Sequence, residues 1–453
     1  MWPLKTILYF VLFWGACLMA LVNPIWGVLN YLMVYQMHPK WTWWGAPLAA
    51  LGMRFSLLAA IFTILGLLTG RRHVPQIKPF VSLWEVGVLI LVASGGLNLV
   101  IGYGYNTDSA YAFEKMWKML LFVLILGRLA TTRENLKLVT WTLVAGSLYV
   151  GYDAFTAPAS AFYLGRLEMI GGPDFSTTSG LAAHLSAILP IIGAAFLTAR
   201  KWRWRIFAAV AGALSCNTII LCRTRSAFIG LVGGVLAAVL MAPRARRYRI
   251  HCLLIAGAAI TFALTDDHFW NRMGTLTDRE ALAQDTATVG RSEIWLLSLR
   301  VLADNPQGVG PGNFPRVIGS YNPRYYKRST HNTLLVCFTE FGIHGGIVFL
   351  LMVAGSLRFL FLSNRLANST KHPIETKLLT YGFFVAFVTY FVTGLGTERF
   401  YCESFWWILV LPLCLYRVVL REATAGVEVP ELAKIPYLSE KDAVFGRLQH
   451  GLC

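Results

Sequence analysis

The chain has 453 residues, 56% of them hydrophobic and only 14% charged, with a mean hydropathy of +0.56. A soluble fold of this length needs a polar shell that such a composition cannot supply, which excludes a cytosolic enzyme and a disordered scaffold. The net charge of +17 (40 Lys+Arg against 23 Asp+Glu) sits in short runs between apolar stretches, so membrane lipid is the expected partner and nucleic acid is not.

Thirteen apolar segments follow one another, at about 5–21, 25–37, 53–69, 83–101, 116–127, 136–152, 178–198, 205–221, 226–241, 250–265, 333–362, 376–395 and 403–420. A membrane-spanning helix takes ~20 residues, so segments 25–37 and 116–127 read as short. Asn23-Pro24 suggests that the first two form a tight hairpin or one broken unit, leaving about twelve spans. The expected fold is an all-α polytopic membrane protein. Its boundaries are 1–265 for the N-terminal transmembrane helices, 266–332 for a large and partly helical outer loop, 333–420 for the C-terminal transmembrane helices, and 421–453 for a cytoplasmic tail.

Basic loops orient the bundle. Arg71, Arg72 and Lys78 follow the third segment, and Arg128, Arg133 and Lys137 follow the fifth. Arg200, Lys201, Arg203 and Arg205 follow the seventh, Arg244, Arg246, Arg247 and Arg249 the ninth, while Lys371 and Lys377 flank the start of the twelfth. This set is expected in the cytoplasm. The N-terminus shows no small-residue cleavage site and reads as retained. The eight cysteines are scattered, mostly in apolar segments and without a CxxC pair, and read as small buried hydrophobes.

The outer loop breaks the charge trend, with Arg272, Arg279, Arg291, Arg300, Arg316, Arg324, Lys327 and Arg328. Arg223 and Arg225 stand between two apolar segments. On a helix, residues two apart diverge by about 200°, so only one of them faces any one site. They either snorkel to outer headgroups or set a fixed positive charge above a cavity. The stretch from Arg291 to Arg300 reads as an amphipathic helix with Ile294, Leu297 and Val301 on one side, lying along the outer membrane interface. Arg291 and Arg300 point different ways on it, and Glu293 or Asp285 are alternative ion-pair partners for Arg291. Gly308-Val309-Gly310-Pro311-Gly312-Asn313-Phe314 offers either a phosphate nest or simple turns, and no Lys-Ser/Thr follows to make it a Walker loop.

His331, in Ser329-Thr330-His331-Asn332-Thr333, stands where this loop enters an apolar segment. A neutral imidazole there can act as a general base, or it can be structural. His184 and His344 lie deeper and read as structural, while Glu340 must be paired or face a cavity. No HExxH, no second histidine at metal-ligand spacing and no DxD pair is present, so no metal and no cofactor is expected.

These residues resemble the O-antigen ligase and O-antigen polymerase superfamily of bacterial envelope glycosyltransferases. The resemblance is carried by Thr224-Arg225-Ser226-Ala227, Arg291 with Trp295, the glycine loop 308–314, His331-Asn332 and Glu340-Phe341-Gly342. It covers chiefly 175–395. Asn23-Pro24-Ile25-Trp26-Gly27 and Met37-His38-Pro39 look like the exosortase-associated O-glycosylation ligase subgroup. Gly171-Gly172-Pro173-Asp174-Phe175-Ser176 departs from the Pro-Asn or Asp-Asn pair of relatives and leaves the role of Asp174 open.

The resemblance implies transfer of a glycan from undecaprenyl diphosphate to an acceptor hydroxyl at the periplasmic face of the bacterial inner membrane. It assigns Arg225 and Arg291 to the diphosphate and His331 to the base. Arg223, Arg300, Arg324, Lys327, Arg328, Asn332, Gly310 and Gly312 are the further substrate-binding candidates. A lipid A-core acceptor suits the cluster Arg324, Lys327 and Arg328, and another glycan chain is the alternative acceptor. A polymerase of the same superfamily and a lipid-linked glycan flippase are the competing readings.

Overall fold

The computed structural model describes residues 2–69, 81–168, 170, 172–276 and 286–425. The readings placed on Arg71, Arg72, Lys78, Gly171, Arg279, Asp285 and most of the tail 421–453 lie outside the described residues.

Every one of the thirteen apolar segments forms a helix. They are α1 (Leu4–Val22), α2 (Ile25–Gln36), α3 (Phe55–Thr69), α4 (Leu83–Ile101), α5 (Thr107–Leu129), α6 (Arg133–Phe155) and α7 (Thr178–Thr198). After these come α8 (Trp202–Cys222), α9 (Arg225–Met241) and α10 (Arg247–Leu264). Three helices in the outer loop follow: α11 (Asp267–Gly274), α12 (Thr286–Asp304) and α13 (Phe314–Tyr321). The bundle closes with α14 (Thr333–Leu366), α15 (Pro373–Gly396) and α16 (Glu403–Thr424). A two-stranded hairpin, Phe162–Tyr163 with Arg166–Leu167, is the sheet found among the described residues.

Eight of the helices are long and apolar enough to cross a membrane: α1, α4, α7, α8, α10 with its leading turn, α14, α15 and α16. The chain is therefore an all-α, multi-pass membrane protein. At the N-terminus the structure takes the tight hairpin of the two alternatives. Asn30 Nδ2 donates to the Phe13 carbonyl at 3.2 Å, and Gly27 packs on Ala20, so α1 and α2 are two antiparallel helices and not one broken unit. With 12 residues, α2 is about 18 Å long, short of a hydrocarbon core of about 30 Å. Lys5 settles over the rings of Trp43 and Tyr152, at the end of the bundle away from the basic loops.

The segment that reads as short at 116–127 belongs to a helix of 23 residues. Asn106 and Ser109 form a capping box at its start, and the polar first turns hide that start from an apolar count. Helix contacts use small residues, as membrane interfaces do. Gly230 and Gly234, one turn apart on α9, lie against Thr393 and Thr389 of α15, where an added methyl would overlap the threonine hydroxyls. The innermost helix is α16, with Trp406 and Trp407 fully buried, whereas α10 has most of its surface exposed.

Several cations of the basic loops are internal ion-pair partners. Glu85 takes Arg128 and Arg417, each at 2.7 Å. Arg133 pairs with Glu422 at 2.7 Å and with Glu375 at 3.1 Å, and Lys137 reaches Glu375 at 3.0 Å. These pairs clamp α4, α5, α6, α15 and α16 together at one end of the bundle.

The other end is shaped by a break. With 34 residues, α14 would run about 51 Å if it were straight, and it turns at Gly342 (φ 72°, ψ −177°). Irregular backbone inside a membrane persists only where its polar groups are satisfied by protein. Here the outer loop satisfies them. Val309 N–H donates to the Thr339 carbonyl at 2.9 Å, Gly310 N–H to the Glu340 carbonyl at 3.0 Å, and Ile343 N–H to the Pro306 carbonyl at 2.9 Å. Asn98 of α4 adds bonds to the carbonyls of Gln307 (2.9 Å) and Glu340 (3.1 Å).

The amphipathic helix exists as α12, but its burial differs from the expectation. Ile294, Leu297 and Val301 pack on Val309, Phe314, Val317, Ile318 and Tyr325 of the outer loop itself. That face builds a small core of its own and does not lie on lipid.

Candidate active site

His331 is positioned by the turn that starts α14. Thr330 Oγ1 donates to the Asn332 carbonyl at 2.9 Å and accepts from Asn332 N–H at 3.1 Å, which holds His331 at φ 50° in the left-handed region. Such a conformation in a non-glycine residue is strained and persists because its neighbours over-determine it. Asn332 caps the helix, its Oδ1 accepting from Leu334 N–H at 2.9 Å and Leu335 N–H at 3.2 Å. The Trp295 indole donates to the Thr330 carbonyl at 2.9 Å and docks α12, with Arg291, beside this turn. His331 Nδ1 lies 3.5 Å from Ser329 Oγ, and Glu398 lies beside that hydroxyl.

The half-buried imidazole is pushed down to about 4, first by burial and then by the positive charges of Arg291, Arg328 and Arg399. At neutral pH it is uncharged, the form a general base requires. Three guanidinium groups thus share the surroundings of one neutral histidine.

Arg225 opens α9, and its Nη1 lies 3.4 Å from Thr275 Oγ1 in the outer loop. The next residue, Ser226, packs on Gly396, three positions before Arg399, so the starts of α9 and α14 meet the end of α15 in one place. Thr333 Oγ1 completes the junction, accepting from Arg399 N–H at 3.0 Å. The structure therefore gathers Arg291, Arg328 and His331, with Arg225 at the neighbouring helix start.

Other candidates sit differently. Arg223 takes a left-handed conformation (φ 47°) between α8 and α9. Its guanidinium bonds the Gly165 carbonyl at 2.8 Å and the Asp266 carboxylate, and its own carbonyl accepts from Arg272 Nε at 2.7 Å. This residue ties three outer segments together. Arg300 is exposed, about half a turn round α12 from Arg291 and roughly 13 Å along it. Arg324, Lys327 and Arg328 form an exposed basic rim, with Arg324 and Lys327 lying over Tyr325 and Tyr326.

Gly310 and Gly312 do not present their amides as a phosphate nest. Gly310 N–H is bonded to the Glu340 carbonyl, and Gly312 N–H donates to Glu340 Oε2 at 2.7 Å. The glycines are needed for close approach instead, since a Cβ on Gly310 would lie 2.8 Å from the Asn98 carbonyl oxygen. The side-chain Oδ1 of Asn332 is taken by the cap. Glu340 has the paired, packing role expected of it, accepting from Gly312, from Phe314 N–H at 3.4 Å and from the Tyr401 hydroxyl.

His184 packs on Phe175 at 4.5 Å and reaches Gln36 at 3.4 Å, while His344 bonds Ser94 at 2.7 Å. Both fit the structural reading. Among the described residues no three His, Cys, Asp or Glu side chains gather as a metal site.

Asp174 gains a definite place. Its carboxylate accepts from Tyr35 and from Lys115, each at 2.6 Å, and from Glu403 N–H at 3.3 Å. Burial pushes its carboxyl up, but Lys115, Tyr35 and Arg399 outweigh that and hold it below the usual carboxylate range. The sequence reading passed over Lys115, Glu398 and Arg399. The signal available for the last two was a pair of opposite charges, Glu398-Arg399, in a seven-residue connection between two apolar segments.

Fold and site together define a multi-pass membrane protein with a neutral histidine and clustered guanidinium groups at the end of the bundle opposite its basic loops. Residues 210–350 match the family model described as O-antigen ligase, and over this region the chain is similar to that family. The match takes in Arg223, Arg225, Arg291, the glycine loop, His331 and Glu340, and leaves Asp174 and Arg399 outside it. No curated protein matches the chain.

Proposed function

We propose that this protein transfers a glycan from undecaprenyl diphosphate to an acceptor hydroxyl at the periplasmic face of the bacterial inner membrane. The observation that carries the reading is the neutral His331 among guanidinium groups, inside the region that matches O-antigen ligase. Arg225 and Arg291 hold the diphosphate, whose departure needs its charge matched. The acceptor oxygen attacks the anomeric carbon as His331 Nε2 takes its proton. The bond from that carbon to the diphosphate oxygen breaks, undecaprenyl diphosphate leaves, and the anomeric centre inverts. The basic loops at the opposite end support the orientation, because such loops stay in the cytoplasm.

Lipid A-core is the favoured acceptor, because Arg324, Lys327 and Arg328 form an exposed rim beside the histidine that suits its phosphates. The test incubates purified protein with undecaprenyl-diphosphate glycan and, in parallel, lipid A-core, a second glycan chain or a protein. Product on lipid A-core that falls when the three rim charges are neutralised supports the ligase. Product on the glycan chain alone makes the protein a polymerase. No product with any acceptor refutes the reading.

A further inference from the structure

Arg399 lies in the connection between α15 and α16 and is only 8% exposed. Its backbone is fixed by Thr333 Oγ1 and by its own carbonyl, which accepts from Cys402 N–H at 3.0 Å. Its guanidinium is not fixed in this way. Among the described residues no hydrogen bond or ion pair holds it, and Nε is buried without a partner. Leaving a guanidinium buried with empty donors is costly, and such groups are normally paired.

The nearby acids are occupied. Asp174 Oδ1 is bonded to Lys115, and Oδ2 to Tyr35 and Glu403 N–H. Glu398, next in the chain, lies beside the Ser329 hydroxyl. On its other side Arg399 meets the first turn of α7. Its Nη1 lies so near Gly180 that an added Cβ would stand 3.2 Å from it. A helix of 21 residues presents the positive end of its dipole there, which disfavours a cation and favours an anion. A buried fork of donors, a helix N-terminus and His331 near the same charge all call for a negative group bonded to the fork, which the described residues do not supply.

We propose that Arg399 is an anion-binding residue of the transfer site, pairing with a phosphate of the lipid diphosphate. This rests on the transfer reading above and adds to it a third guanidinium, from an element outside the region of the family match. The fork suits two non-bridging oxygens of one phosphate, so the residue acts on the leaving group and takes no proton.

The test is binding without chemistry. Purified protein is titrated with undecaprenyl diphosphate and with undecaprenyl monophosphate, neither carrying a glycan. The wild type should prefer the diphosphate. Arg399→Met should weaken diphosphate binding about 30-fold and narrow that preference, with no fall in melting temperature, since it removes an unfilled buried charge. Arg399→Lys should fall between the two, and it decides the matter if Arg399→Met does not fold. Diphosphate affinity in Arg399→Lys equal to that of the wild type overturns the assignment and leaves the transfer reading standing. The same holds for wild-type affinity in a folded Arg399→Met. A wild-type protein that binds neither lipid overturns both.

Discussion

The Trp295 indole donates to the Thr330 carbonyl at 2.9 Å, and this one bond ties the helix carrying Arg291 to the residue before His331. The imidazole of His331 and the guanidinium of Arg291 are 40 residues apart in the chain, so their spacing depends on this dock. Trp295→Phe keeps the ring volume roughly and removes the donor. We expect turnover to fall about 10-fold, as loss of a hydrogen bond worth about 1 kcal/mol and some drift of Arg291 would give, with little change in melting temperature. Unchanged turnover would show that the dock is held by apolar packing alone.

The acidity of His331 gives a pH signature. In the free protein, burial and three cations disfavour the imidazolium and push the group down to about 4. The acid limb of kcat/KM should therefore lie near pH 4, well below that of an ordinary histidine. A bound diphosphate cancels part of the cationic field, so the acid limb of kcat should lie at higher pH. Removing a cation acts in the same direction: Arg328→Gln should raise the limb of kcat/KM. His331→Ala should abolish transfer and leave donor binding near normal. Acid limbs that coincide in the two profiles would separate the histidine from the diphosphate.

The two arginines of α12 should behave differently. Arg291 faces His331, whereas Arg300 is exposed on the far side, roughly 13 Å along the helix. Arg291→Ala should cost at least about 100-fold in kcat/KM, in line with loss of a charged contact worth about 3 kcal/mol. Arg300→Ala should stay within about threefold of wild type. Equal losses in both would mean that the helix contributes charge in bulk rather than one placed guanidinium.

Glu340 and Gly342 should matter for stability. Glu340→Ala leaves the Gly312 amide and the Tyr401 hydroxyl without their acceptor, at a cost of about 3 kcal/mol. Glu340→Gln keeps one acceptor oxygen and should recover part of that. Gly342→Ala forces a Cβ to within 2.6 Å of the Pro306 carbonyl oxygen at a φ of 72°, and should lower the melting temperature in detergent at least as much. A melting temperature unchanged in both alanine variants would contradict a stabilising role for the bonds between the outer loop and the break in α14.

Hydropathy revealed the helices because each apolar segment is long enough to demand one, and it misjudged α5 because the first turns of that helix are polar. The site was half legible. Arg291 and His331 stand out because charge and imidazole are unusual where an outer loop meets the bilayer. Arg399 did not, since its significance lies in the groups around it, and these come from α7 and α14. The glycine loop shows the same limit. Gly310 and Gly312 suggest free amides until the carboxylate and carbonyl of Glu340, 28 residues beyond Gly312, are seen to take them.

The break in α14 has a consequence for how the chain can be assembled and re-engineered. The strip 306–310 precedes 339–343 in the chain and must be in place when the helix forms, because the strip supplies the bonds that the helix lacks at Gly342. The outer loop is thus a component of the span and not a module hung upon it. Exchanging 266–332 for the loop of another protein would leave a hole in the membrane helix, so a working chimera has to carry the loop and α14 across together.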